Sequence, residues 1–143
     1  MNASLDFSQW IPHQGGMCLL EHVVGWDEQR IVLTTHTHRS PDNPLRRAGR
    51  LRALHLCEYG AQAMAVHGAL KAQASGTHAP PGVLVSLRSV SLLRDYIEDL
   101  PDHLEVSATC LQASPASLQY EFRVQHRELE VAVGRAAVVL GTL

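Results

Sequence analysis

Residues 51–70 read LRALHLCEYGAQAMAVHGAL, a run with helical spacing in which almost every position is small or apolar. At about 100° of rotation per residue, His55, Glu58 and Gln62 fall within one narrow sector of the helix wall. Alanine, glycine, leucine, methionine, valine and cysteine dominate the rest of the circumference. A helix apolar nearly all round belongs inside a protein, where an unpaired carboxylate is costly to hold. Glu58 must therefore have a partner or a function. The rest of the chain must also supply a surface able to cover one helix on most sides.

The flanking segments read as that surface. Residues 18–26 and 30–38 form two expected strands joined around Gly25, Trp26, Asp27 and Glu28, the second rich in β-branched side chains. Residues 6–11 read as a short helix or turn. Residues 40–49 are a loop, since SPDNP supplies two prolines and turn formers. The helical pattern fades over residues 71–81, where Ser75-Gly76 and Pro80-Pro81 mark another loop. Beyond Gly82, the segments VLVSLRSVSLL, HLEVSATCLQA, SLQYEFRVQH and LEVAVGRAAVVLGTL read as strands, with Ser114-Pro115-Ala116 as a hairpin connection. Successive antiparallel strands around one helix describe an α+β domain, a single curved sheet wrapped on the helix, spanning residues 1–143. The sheet's outer edge and the helix's open end would need cover, which pairing of subunits supplies.

Composition narrows the function classes. A net charge of −2 offers no basic excess for nucleic acid. No apolar run approaches the roughly 20 residues of a membrane span, and no secretion-type segment opens the chain, so the cytoplasm is the expected compartment. Three cysteines, Cys18, Cys57 and Cys110, stand far apart in apolar contexts, as reduced buried thiols do. Eleven of the twelve basic residues are arginine, and Arg39, Arg46, Arg47, Arg50 and Arg52 crowd the stretch before the helix. That cluster reads either as a solvated loop or as a docking patch for phosphate or an acidic partner.

The segment IPHQGGMCLLEHVV, residues 11–24, resembles the opening L-P-H-R-x-P-x-L-L-x-D-x-V of FabZ-type 3-hydroxyacyl-acyl-carrier-protein dehydratases. Glu58-Tyr59-Gly60-Ala61-Gln62 resembles the E-A-x-A-Q of their central helix. PHQGGM followed by ALHLCEYGAQAMAVHG is most similar to the ApeP-like dehydratases of aryl polyene synthesis. The resemblance implies a hotdog fold over nearly the whole chain and elimination of water from a β-hydroxyacyl thioester in fatty acid or polyene synthesis. It implies no bound cofactor, the substrate being carried on the phosphopantetheine of an acyl carrier protein or on CoA. One departure stands out. The family's catalytic loop histidine would fall near Asn43 and Pro44, where this chain has none.

Such an elimination needs a base for the C2 proton, an acid for the departing 3-hydroxyl, and donors for the thioester oxygen. On this reading Glu58 is the acid, His13 the first candidate base and His55 the second. Gln62 holds Glu58 in place, and backbone N–H groups of residues 51–54 supply the oxyanion donors. Arg46, Arg47 and Arg50 meet the carrier's acidic surface or the phosphate. The plain alternative is that Glu58 and Gln62 simply hydrogen-bond each other or nearby backbone. His36 and His38 would share one strand face but lack a third ligand, so no metal is expected. His67, His78, His103 and His126 read as superficial. Two other functions fit the same residues. One is a non-catalytic hotdog subunit pairing with a catalytic dehydratase; the other is an acyl thioesterase, in which Glu58 activates water. The expected assembly is a homodimer or a heterodimer with another hotdog subunit.

Overall fold

The computed structural model describes residues 17–141. His13 and the expected short helix or turn at residues 6–11 lie outside them. The described elements are β1 (His22–Trp26), β2 (Arg30–Thr35), α1 (Leu56–Ala74), β3 (Gly82–Leu92), β4 (Leu104–Ala113), β5 (Ser117–His126) and β6 (Leu129–Leu140), with 3-10 turns at Thr37–Arg39 and Ala53–His55. The six strands form one antiparallel sheet in the order β1-β2-β4-β5-β6-β3. The helix packs mainly on β2, β4 and β5.

Alternation in the strands sets the covered face. Ile31, Leu33 and Thr35 of β2, Leu104, Val106 and Ala108 of β4, and Tyr120, Phe122 and Val124 of β5 are all buried. Register aligns large against small across the sheet: Ala108 pairs with Phe122, which pairs with Gly134 of β6. Phe122 thus stands between two small neighbours and rises toward the helix. A Cβ on Gly60 would lie 2.5 Å from the Phe122 ring, and one on Gly134 would lie 2.7 Å from it. Both positions are small because the ring occupies the space a side chain would need.

The ends of the elements differ from the sequence reading for local reasons. The helix begins at Leu56 rather than residue 51, because residues 51–53 bond sideways to the β3–β4 connection. Leu51 N–H donates to Glu98 Oε1 (2.8 Å), Ala53 N–H to the Asp95 carbonyl (2.8 Å) and Ile97 N–H to the Leu51 carbonyl (3.0 Å). It runs on through Lys71 to Ala74 and stops at Gly76, whose φ is +72°. There Gly76 N–H reaches the Gln73 carbonyl and Thr77 N–H the Ala72 carbonyl, the paired bonds of a Schellman end.

Strand β1 starts at His22, four residues later than expected, because residues 18–20 are drawn toward the helix. Strand β2 ends at Thr35, so His36 and His38 share no strand face. His36 is exposed, with its ring near Glu21, whereas His38 is fully buried and bonded to the Leu100 carbonyl (3.0 Å). Among the described residues no group of His, Cys, Asp or Glu could hold a metal ion. The β5–β6 turn is Arg127-Glu128, both with positive φ (51° and 67°). Neither is the Gly or Asn such a turn usually carries.

Candidate functional site

Gln62 organises the site. Its side chain is 2% exposed and bonds in three directions. Its Oε1 accepts from Leu19 N–H (2.9 Å), and its Nε2 donates to the Met17 carbonyl (2.6 Å) and to Glu58 Oε2 (3.3 Å). One amide therefore fastens the segment leading into β1 onto the helix and orients the carboxylate one turn away. The i, i+4 spacing that makes this bond possible is visible in the sequence; the capture of residues 17–19 is not.

Glu58 is half-buried and opens onto a cleft of about 600 Å³. The helix lines it with Ala61, Ala65 and Gly68, the sheet with Leu118, Tyr120 and Val138. The helix is therefore covered on its Gly60 side and open along its small-residue side, so the wrapping is less complete than its composition suggests. Gln62 lines the same cleft, but His55, Arg46, Arg47 and Arg50 do not. His55 instead occupies the N-cap position of α1, half-buried.

The arginine loop is knit into the fold. Arg46 donates to the carbonyls of Gly49 (2.9 Å) and His38 (3.2 Å), and Arg47 to those of Pro44 (3.3 Å) and its neighbour Arg46 (2.9 Å). Arg50 pairs with Glu98 (2.5 Å) and lies 3.8 Å over the Tyr96 ring. Much of the cluster's charge thus serves the loop itself, although Arg39, Arg47, Arg50 and Arg52 remain exposed. Two of the expected oxyanion donors are likewise occupied, since Leu51 N–H already donates to Glu98 and Ala53 N–H to the Asp95 carbonyl.

Asn43, near the position of the family's loop histidine, is 6% exposed. Its amide donates to the Thr37 carbonyl (2.9 Å) and to the Tyr59 hydroxyl (3.1 Å), and its Oδ1 accepts from Leu45 N–H (2.9 Å). This asparagine builds the loop, and a neutral amide cannot act as the base a histidine would supply there. His67 and His126, expected at the surface, are buried. His67 lies on the sheet side of α1. Its Nε2–H donates to the Asp27 carbonyl (2.8 Å), which leaves Nδ1 to accept from the Tyr120 hydroxyl (2.6 Å). Burial pushes the His67 pKa down and the Tyr120 phenol up. Both are held neutral behind the cleft wall. Tyr120 is one of the lining residues that sequence reading did not single out, and only its place in an alternating strand hinted at burial.

Among the described residues no helix is long and apolar enough to cross a membrane. The fold is shared with several solved proteins. A chain of the dehydratase heterocomplex ApeI:P from Xenorhabdus doucetiae superposes with a TM-score of 0.87 at 19% identity, covering 98% of this chain and 93% of that one. A hypothetical thioesterase with coenzyme A from Streptococcus pneumoniae gives 0.61 at 14% identity, covering 83% and 84%. The E. coli PaaI protein from the phenylacetic acid degradation operon gives 0.59 at 17%, covering 82% and 80%. At these identities the likeness shows the hotdog fold alone. No curated protein sequence matches the chain. The family described as ApeP-like, ApeP dehydratase, matches residues 5–141, and with nearly the whole chain inside that match the protein belongs to the ApeP-like dehydratase family.

Proposed function

We propose that the protein takes part in eliminating water from a 3-hydroxyacyl thioester presented on the phosphopantetheine of an acyl carrier protein or on CoA, in fatty acid or aryl polyene synthesis. The observation that carries this reading is a carboxylate, Glu58, oriented by a buried amide and opening onto a largely apolar cleft. In the reaction a base removes the C2 proton, the C2–C3 double bond forms, and the 3-hydroxyl leaves as water with a proton from Glu58. Gln62 also ties down Met17 and Leu19, close in sequence to His13, which makes that histidine our first candidate base. His55 remains the second. Arg47, with the loop of Arg46 and Arg50 behind it, would face the acidic carrier, a contact that weakens with salt.

A second reading rests on strand β3. It lies at the sheet edge, and Val83, Leu84, Val85, Leu87 and Val90 are each at least 37% exposed. A long apolar edge is a surface for another chain. A second hotdog subunit, identical or different, pairing there would cover it, and a different one would bring the loop histidine that this chain lacks near Asn43 and Pro44. The similarity to the ApeI:P heterocomplex favours a different partner. Purified protein should be assayed for enoyl-thioester absorbance on a 3-hydroxyacyl-pantetheine, alone and after mixing with an ApeI-type dehydratase. Activity alone supports the first reading, and activity only in the mixture supports the second. Release of free thiol without enoyl product would identify a thioesterase and overturn both.

A further inference from the structure

Leu19 takes its place from side chains at both of its main-chain groups. Its N–H donates to Gln62 Oε1 (2.9 Å), and its carbonyl accepts from the hydroxyls of Thr35 (2.5 Å) and Thr37 (2.6 Å). Among the described residues, main-chain pairing with β2 begins only at Glu21, whose N–H donates to the Thr34 carbonyl (3.2 Å). The hydroxyls therefore do for Leu19 what a ladder bond does for a strand residue. Gln62 depends on that placement. The two ends of its amide are nearly equal in size, so partners alone decide which way it points. With Leu19 N–H in place, Oε1 faces it and Nε2 is left to donate to the Met17 carbonyl and to Glu58. Turned over, the amide would set its oxygen against a carbonyl and a carboxylate.

The bonding continues beyond Thr37. Since the Thr37 proton goes to Leu19, its Oγ1 accepts from the Tyr59 hydroxyl (2.9 Å), and Tyr59 Oη accepts in turn from Asn43 Nδ2 (3.1 Å). Asn43 is itself oriented by backbone, because Nδ2 also donates to the Thr37 carbonyl and Oδ1 accepts from Leu45 N–H. The donors thus point one way, from Asn43 through Tyr59 and Thr37 to Leu19, and bonds in such a series strengthen one another. Burial pushes the Tyr59 pKa up, which keeps the phenol a donor. Tyr59 and Asn43 are buried, where water cannot replace a lost partner. None of the three side chains lines the cleft, although Tyr59 follows Glu58 directly on α1. Their route to the carboxylate runs through Leu19 and Gln62.

Resting on the dehydratase reading above, we infer that Thr37 and Tyr59, with Asn43 behind them, are positioning residues: their hydroxyls fix Leu19, Leu19 sets the Gln62 amide, and the amide aims the Glu58 carboxylate. The test pairs turnover with a direct view of the amide. Elimination from a 3-hydroxyacyl-pantetheine is measured well below the unfolding temperature, by the protein alone and with an ApeI-type dehydratase. The Gln62 side-chain amide is followed by nitrogen NMR in the same variants. Thr37→Val should lower kcat about tenfold with KM nearly unchanged, as lost orientation does. Tyr59→Phe should act in the same direction by a smaller factor. Thr37→Ser, which keeps the hydroxyl, should restore turnover. The Gln62 Nε2 signals should move toward those of a solvent-exposed glutamine in Thr37→Val and return in Thr37→Ser. Val131→Ala, a truncation of a buried β6 residue, controls for stability: it should lower the thermal midpoint and leave both readouts in place. If Thr37→Val loses thermal stability alone, or if Thr37→Ser fails to restore kcat and the Gln62 signals, the inference is overturned and the hydroxyls only brace the fold. Should Thr37→Val not fold, Tyr59→Phe carries the same comparison with the ring retained. Elimination that the variants leave unchanged sinks only the present inference. No elimination by the unmodified protein, alone or mixed, sinks the dehydratase reading, and the Gln62 signals then decide whether the hydroxyl chain sets the amide.

Discussion

Gly60 and Gly68 sit two turns apart on one helix and are small for opposite reasons. At Gly60 a Cβ would strike the Phe122 ring at 2.5 Å, so the residue is set by how closely helix and sheet approach. At Gly68 a Cβ would meet nothing within 4 Å, and the missing side chain leaves the cleft open. The first face is a packed core in which volume decides stability. The second is a concave wall in which volume decides what can enter. The general lesson is that an all-apolar helix composition describes two different surfaces, and only packing partners separate them.

Substitutions can break this division. The largest effect belongs on the cleft side: Glu58→Gln should lower enoyl formation by about 10²–10⁴-fold, as expected for losing a general acid, with the thermal midpoint nearly unmoved. Unchanged turnover would remove Glu58 from the chemistry. Next, the core side should respond to acid. Burial holds His38 neutral, with its pKa lowered from 6.5 to about 4. The unfolded chain therefore takes up this proton first, and stability is lost as pH falls from about 6.5 to about 4. The loss below that range should approach about 3 kcal/mol, since each pH unit between the two values weakens the fold by about 1.4 kcal/mol. Denaturant titrations across that range, with His38→Gln flattening the slope, would check it.

Gly60→Ala should then cost about 1–3 kcal/mol through overpacking, and Phe122→Leu in the same chain should recover part of it. Additive losses in that double variant would show that the ring is not what excludes a side chain at residue 60. The smallest stability effect should come from Gly68→Leu, within about 0.5 kcal/mol of the unmodified protein. That variant should nevertheless weaken binding of long acyl-pantetheines while sparing short ones. A large stability loss there would mean that both helix faces are core after all.

Much of the fold was legible because it rests on local pattern. Alternation over residues 117–126 marked a strand, and the β-branched side chains of residues 31–35 marked β2. The i, i+4 relation of Glu58 and Gln62 likewise placed their contact in advance. Other features depended on distant partners. The expected strand through His36 and His38 ended early because Thr35 and Thr37 hydroxyls both turn to the Leu19 carbonyl (2.5 and 2.6 Å). The early helix start failed because Glu98 and Asp95, more than 40 residues away in the chain, take the N–H groups of Leu51 and Ala53.

The amino-acid sequence by itself determined the helix, its polar stripe and the sheet, because each follows from the periodicity of neighbouring residues and the cost of burying unpaired polar groups. It also carried the ApeP-like family signature. Tertiary structure alone decided which side of the helix is core, that Gln62 clasps residues 17–19 while holding Glu58, and that Glu58 opens onto a cleft between helix and sheet. Those outcomes turn on which side chains meet across long stretches of chain, and no local spacing encodes such a meeting.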